Sequence, residues 1–194
     1  MVRTRTFDPS AALATAVDLF ASRGYSDTSM DDIVKATGVS RYGLYGTFGN
    51  KRELFEQALE RYAEGMGKEL YLRLLEPDAS LAHIRRIFDQ RIGDMCCVEE
   101  RKGCLFVHTA MQLAPDDAEL QGVLKKFMKR MSKAFEIGLE SAKARGEVRQ
   151  DLDCAAAGDL LTNTQFGLAV LGRAGFSQES LKGIVENTLS SLTA

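Results

Sequence analysis

Apolar residues along this chain recur at the spacing of a helix face and nowhere settle into the two-residue alternation of a half-buried strand. That rhythm restricts the fold to packed helices, an all-α class. The first helix is bracketed at both ends. Asp8-Pro9 supplies an N-cap followed by proline at the first helical position, Leu13, Ala16, Val17 and Phe20 form the apolar face, and Gly24 stops it. Only three prolines, Pro9, Pro77 and Pro115, occur in 194 residues, which suits helices joined by short connections. A chain of this length with 45% hydrophobic residues can bury a substantial core.

Two short helices follow. Thr28-Ser29-Met30-Asp31 has the form of a capping box and opens a helix with Ile33 and Val34 turned inward. Thr37-Gly38-Val39 makes a tight turn, and Ser40 then caps a second short helix through about Phe48. Asn50 and Glu53 form a cap pair opening a long helix with Leu54, Phe55, Ala58, Leu59 and Tyr62 on its buried stripe. The pattern carries that helix to about Leu75, where Glu76-Pro77-Asp78 ends it. Five more helices are expected near 79–95, 103–113, 116–145, 153–174 and 177–192, with Pro115-Asp116 starting the longest and Gly146 ending it.

A pair of short helices joined by a tight turn containing Gly is a helix-turn-helix, which lays its second helix in the major groove of DNA. Met30, Ile33, Val34, Val39 and Leu44 would pack the unit, leaving Arg41, Tyr42, Gly43 and Tyr45 outward to reach base edges and phosphates. Lys51, in the first turn of the next helix, is placed to clamp a phosphate. Charge distribution agrees weakly: residues 1–52 carry seven basic against five acidic side chains, while the whole chain has a net charge of −2.

Gly24-Tyr25, Thr28, the run Ile33 to Ser40, Leu44-Tyr45, Phe48, Lys51 and Leu54-Phe55 together resemble the DNA-binding half of the TetR family of repressors. The resemblance spans about residues 8–60. It implies nine helices, the number reached from periodicity, with an N-terminal three-helix DNA-binding domain over 1–50 and a helical ligand-binding and dimerisation domain over 51–194. It adds Thr28 and Ser40 to Arg41, Tyr42, Tyr45 and Lys51 as DNA contacts, and it implies a homodimer through the last two helices acting on palindromic double-stranded operator DNA. Such a dimer sets its recognition helices about 34–36 Å apart, or further by whole turns. Between Tyr45 and Phe48 the chain departs from the family pattern, with Gly46-Thr47 where many relatives carry a larger polar residue such as His or Asn, and Gly43 is a second glycine in the same helix. Each glycine lowers helix stability by about 1 kcal/mol relative to Ala, so the pair suggests a recognition helix that DNA orders.

The C-terminal body is less explicit. Met95, Phe106, His108, Met111, Phe127, Met131 and Phe166, with Phe88, Met128 and Phe135, could line a pocket for a small apolar effector or could be ordinary core. Gly103-Cys104-Leu105 resembles a stretch in relatives that sense electrophiles through cysteine. A helix start, Lys102 and His108 around Cys104 would favour a reactive thiolate, against which stands a plain buried cysteine. Cys96 and Cys97 with Cys104 and His108 could gather zinc, but adjacent cysteines rarely share a site and no spaced Cys pair supports it, so no metal or cofactor is assigned.

No stretch reaches the roughly 20 apolar residues of a membrane span, and Met1 to Phe7 lacks the core of a signal peptide, so the expected location is cytoplasmic with reduced thiols. A thiol-dependent redox enzyme is the rival class, yet two histidines, His83 and His108, and no nucleophile or phosphate-loop motif give it little to work with. A helical adaptor that does not bind DNA is a third. The expectation is a regulator and not an enzyme.

Overall fold

The computed structural model describes residues 7–67, 71–96 and 103–193. Cys97 and Lys102, invoked above for metal or thiol chemistry, lie outside the described residues, as do Arg3 and Arg5 of the seven basic residues counted in 1–52, and of Cys96 only the backbone is described. Among the described residues there are nine α-helices and no strand: α1 Pro9–Arg23, α2 Met30–Thr37, α3 Arg41–Phe48, α4 Lys51–Met66, α5 Leu81–Cys96, α6 Leu105–Gln112, α7 Ala118–Ala144, α8 Cys154–Arg173 and α9 Gln178–Ser190.

Local cap chemistry explains most boundaries. Asp8 accepts the Ser10 amide at 2.8 Å with Pro9 behind it. Asn50 Oδ1 accepts the Arg52 and Glu53 amides while Glu53 Oε2 accepts the Asn50 amide at 2.7 Å, a complete capping box. The box at α2 sits one residue later than the sequence suggests: Ser29 is the cap and Asp32 its partner, and the Ser29 hydrogen bonds hold the Asp32 carboxyl below its ordinary range.

Two other boundaries differ. α4 ends at Met66, and Leu72–Leu75 is a separate 3₁₀ turn whose Leu74 packs into the body against Gly138. Pro115 lies in a second 3₁₀ turn, Ala114–Asp116. The cap of α7 is Asp117, which accepts the Leu120 amide at 3.0 Å and pairs with Arg52 of α4 at 2.6 Å.

The core divides into two aromatic clusters. In the N-terminal part, Phe55 meets Phe20 and Tyr25 edge to face, with centroids 5.1 Å and 4.9 Å apart, and Phe20 and Tyr25 stack at 6.3 Å. In the body, Phe106 stacks on Phe127 at 3.8 Å and Phe88 on Phe135 at 5.9 Å. The longest helices, α7 and α8, share the most extensive contact. Gly158 permits it, because a Cβ there would stand 2.6 Å from the Ser132 carbonyl oxygen.

Candidate nucleic-acid interface

Gly38 closes α2 in the left-handed region at φ 67°, which a side chain would strain, and its amide donates to the Val34 carbonyl. The Thr37 hydroxyl donates to the Ile33 carbonyl and accepts the Val39 amide, so the turn is hydrogen-bonded throughout. Ser40 caps α3 by accepting the Gly43 amide at 3.1 Å. With Leu44 fully buried and Phe48 nearly so, α3 is pinned by one face. The opposite face is open: Tyr42 is 78% exposed and Tyr45 42%. Arg41 is exposed and ion-paired with Asp31 of α2, which raises its pKa. The Lys51 ammonium lies 4.1 Å above the Tyr25 ring, and partial burial there lowers its pKa.

Ser40, Arg41, Tyr42 and Tyr45 are thus exposed at or on α3, whereas Gly43, expected outward, is half-buried, a Cβ there facing Val39 and Phe7, and Lys51 is half-buried over Tyr25. Thr28 does not join them. It is fully buried and its hydroxyl donates to the Gly24 carbonyl at 2.7 Å, so it stiffens the α1–α2 turn and offers DNA no side chain. Sequence reasoning missed Gln112, the last residue of α6, whose Oε1 accepts the Tyr25 amide at 3.1 Å and ties this turn to the body.

The expected pocket residues separate. Cys104 and Met95 line a cavity of about 390 Å³ between α1, α4, α5, α8 and the start of α6, together with Tyr62 and Arg91. Phe106 and Met131 are packed into the core, and Phe127, stacked on Phe106, also borders an open groove of about 720 Å³ between α4 and α7. Met111 is 77% exposed and lines none of these recesses, because α6 turns that side to solvent. Phe166 is half-buried against the core. His108 follows Cys104 by one turn, its amide donating to the Cys104 carbonyl, but its buried Nε2 has no hydrogen-bond partner and lies by Gly103 and Arg173. Burial and then the Arg173 charge lower its pKa, which favours the neutral ring.

α8 sorts its small residues by face. Ala157, Gly158, Ala169 and Gly172 turn inward, with Gly158 against α7 and Gly172 against Met95 of α5. Ala156, Leu160, Gly167 and Val170 turn outward, and Phe176 beyond the helix is half-exposed. Among the described residues no helix is long and apolar enough to cross a membrane.

Comparison with known proteins agrees with this geometry. Residues 12–58 match bacterial regulatory proteins of the tetR family, and residues 80–181 match the tetracyclin repressor-like C-terminal domain. The uncharacterized HTH-type transcriptional regulator YezE of Bacillus subtilis is 31% identical, covering 99% of this chain and 100% of its own. The HTH-type transcriptional repressor ComR of Escherichia coli is 29% identical, covering 96% and 90%. A cysteine mutant of the TetR family regulator CifR, solved with 26-base-pair operator DNA, superposes with a TM-score of 0.83 at 26% identity, covering 97% of this chain and 98% of that one. Matched in both halves and along its length, the chain is a transcriptional regulator and belongs to the tetR family of bacterial regulatory proteins.

Proposed function

We propose that the chain is a cytoplasmic repressor, without enzymatic activity, that binds a palindromic operator as a homodimer. A small apolar or electrophilic effector in the body, or modification of Cys104, releases it. In this reading residues 1–50 hold DNA, and residues 51–194 hold effector and partner subunit. The observation that carries it is α3, pinned by Leu44 and Phe48 while Tyr42 and Tyr45 stand exposed beside Arg41, Gly43, Ser40 and Lys51. CifR bound to operator DNA supports duplex DNA as the partner, and the repressor ComR supports the sign of the response. The outward apolar face of α8, Leu160 and Val170 with Phe176 beside it, supports pairing through α8 and α9.

A mobility shift with the DNA upstream of the chain's own gene, at stated salt, tests the reading. Tyr42→Ala should weaken the shift by about tenfold, and Lys51→Ala should weaken it for all sequences alike. Unchanged binding by both variants contradicts the docking. For Cys104, release of DNA from the Cys104→Ser variant by maleimides or oxidants removes the thiol route.

A further inference from the structure

The cavity beside Cys104 holds its donors, Arg91 and Tyr62, deeper than its two carboxylates, which belong to the exposed residues Asp18 and Asp94. Arg91 is its cationic centre. It sits seven residues after Ile84 on the face of α5 that also buries Phe88 and Ile92, and its side chain is only 15% exposed. Among the described residues its ion pair is with Asp94, 3.7 Å away and itself 59% exposed. The Arg91 Nε is buried without a hydrogen bond, and so is the Tyr71 hydroxyl nearby. The Tyr62 hydroxyl is close enough to Arg91 and Cys104 to interact electrostatically with both. Burial pushes both tyrosine hydroxyls well above their ordinary range, so they remain neutral donors.

Buried guanidinium groups are costly without a paired anion, and unused buried donors add to that cost. Among the described residues the buried part of this cluster holds two unused donors, Arg91 Nε and the Tyr71 hydroxyl. The remaining walls, Val17, Ala21, Met95 and Ala169, are apolar, and a second recess of about 290 Å³ shares Tyr62 and Arg91. The two acidic side chains, Asp18 and Asp94, are exposed and so stand at the rim, which disfavours a multiply charged anion.

We propose that this cavity takes an effector with one carboxylate and a short apolar tail, its carboxylate gripped by Arg91 with Tyr62 as second donor. The proposal rests on the reading of the body as the effector-binding part and names the effector's chemical class. An Arg–carboxylate pair is charge-assisted and can be bidentate, so an uncharged amide of the same length is a sharp control. At about 390 Å³ the space is near the lower end of ligand pockets, which limits the tail.

The test measures the melting temperature of the full chain, without DNA, in millimolar butanoate, hexanoate and octanoate and in their amides, since a ligand of the native state raises it. At least one acid should raise the melting temperature while its amide does not. Arg91→Gln should weaken that response by about tenfold or more, and Tyr62→Phe should weaken it severalfold, while Cys104→Ser retains it. Equal responses to acid and amide, no response to any acid, or an unaltered response in Arg91→Gln overturns the proposal. If Arg91→Gln fails to fold, the acid-over-amide preference of the unaltered chain and the Tyr62→Phe response decide. Operator binding is measured separately. A chain that responds to hexanoate but binds no operator keeps this site and loses the repressor reading, and the opposite result does the reverse.

Discussion

The same substitution, Gly→Ala, should have opposite effects at two positions of this chain. A Cβ added at Gly46 meets nothing within 4 Å, and the residue lies within α3 without a positive φ. Its replacement therefore gains helix propensity and little else, about 1 kcal/mol. For a chain of this size that is roughly 2–4 °C in melting temperature. A Cβ at Gly158 stands 2.6 Å from the Ser132 carbonyl oxygen and 3.1 Å from the Glu136 amide nitrogen, both backbone atoms of α7. No rotamer change relieves that clash, so α7 and α8 must separate. Overpacking of this kind costs about 1–3 kcal/mol. After the propensity gain is subtracted, a net loss of about 0–2 kcal/mol remains, or roughly 0–8 °C. Circular dichroism melts at one fixed protein concentration measure both, because the midpoint of a dimer would depend on concentration. A Gly158→Ala chain more stable than the parent would refute the α7–α8 separation described above. A Gly46→Ala chain with an unchanged midpoint would mean that α3 gains nothing from added helix propensity, against the view that its glycines leave it loose.

Asp31→Asn should tighten operator binding severalfold at moderate salt, since it frees Arg41 from its ion pair and removes an anion beside the docking edge; a weaker or equal mobility shift would contradict this. Asp117 is held below its ordinary 3.8 by the Leu120 amide and then by Arg52. Its stabilisation is thus complete above 3.8 and lost as pH falls through the lower folded value, so Asp117→Asn should flatten the acid limb of the stability curve, as read by urea melts at stepped pH. Gln112→Ala removes the acceptor of the Tyr25 amide and should cost about 1 kcal/mol; hydrogen exchange at Tyr25 should accelerate, and an unchanged rate would mean the bond does not persist in solution.

Legibility followed the range of the interactions. Caps were readable because they span three residues, as at Asn50 and Glu53. At α2 the expected pair of Thr28 with Asp31 gives way to Ser29 with Asp32, because Thr28 is buried in the fold. The end of α4 was not readable, because Leu74 continues the apolar pattern while packing against Gly138, far along the chain. Met111 and Met131 are alike in sequence, yet one faces solvent and the other the core, a difference set by which helices lie on α6 and α7. Arg91 was readable in principle. A charged residue on the apolar stripe from Ile84 through Phe88 is the signal, and the spacing alone exposes it.

Cys104 caps α6 at the cavity, and Gln112 at the other end of that eight-residue helix holds the Tyr25 amide, a span of about 12 Å. α4 makes the same journey, from Tyr62 at the cavity to Lys51 over the Tyr25 ring, with Phe55 against that ring on the way. Two helices thus converge on one turn of the DNA-binding unit. Reversing occupancy from 99:1 to 1:99 needs about 5.5 kcal/mol of differential binding. One partly exposed hydrogen bond, worth about 1 kcal/mol, cannot transmit that alone. The aromatic cluster of Phe20, Tyr25 and Phe55 must move with α4 if an effector is to change the fit to an operator. Loss of Gln112 should therefore soften the response to an effector without abolishing it, whereas Phe55→Ala should uncouple cavity from DNA even where the chain still folds.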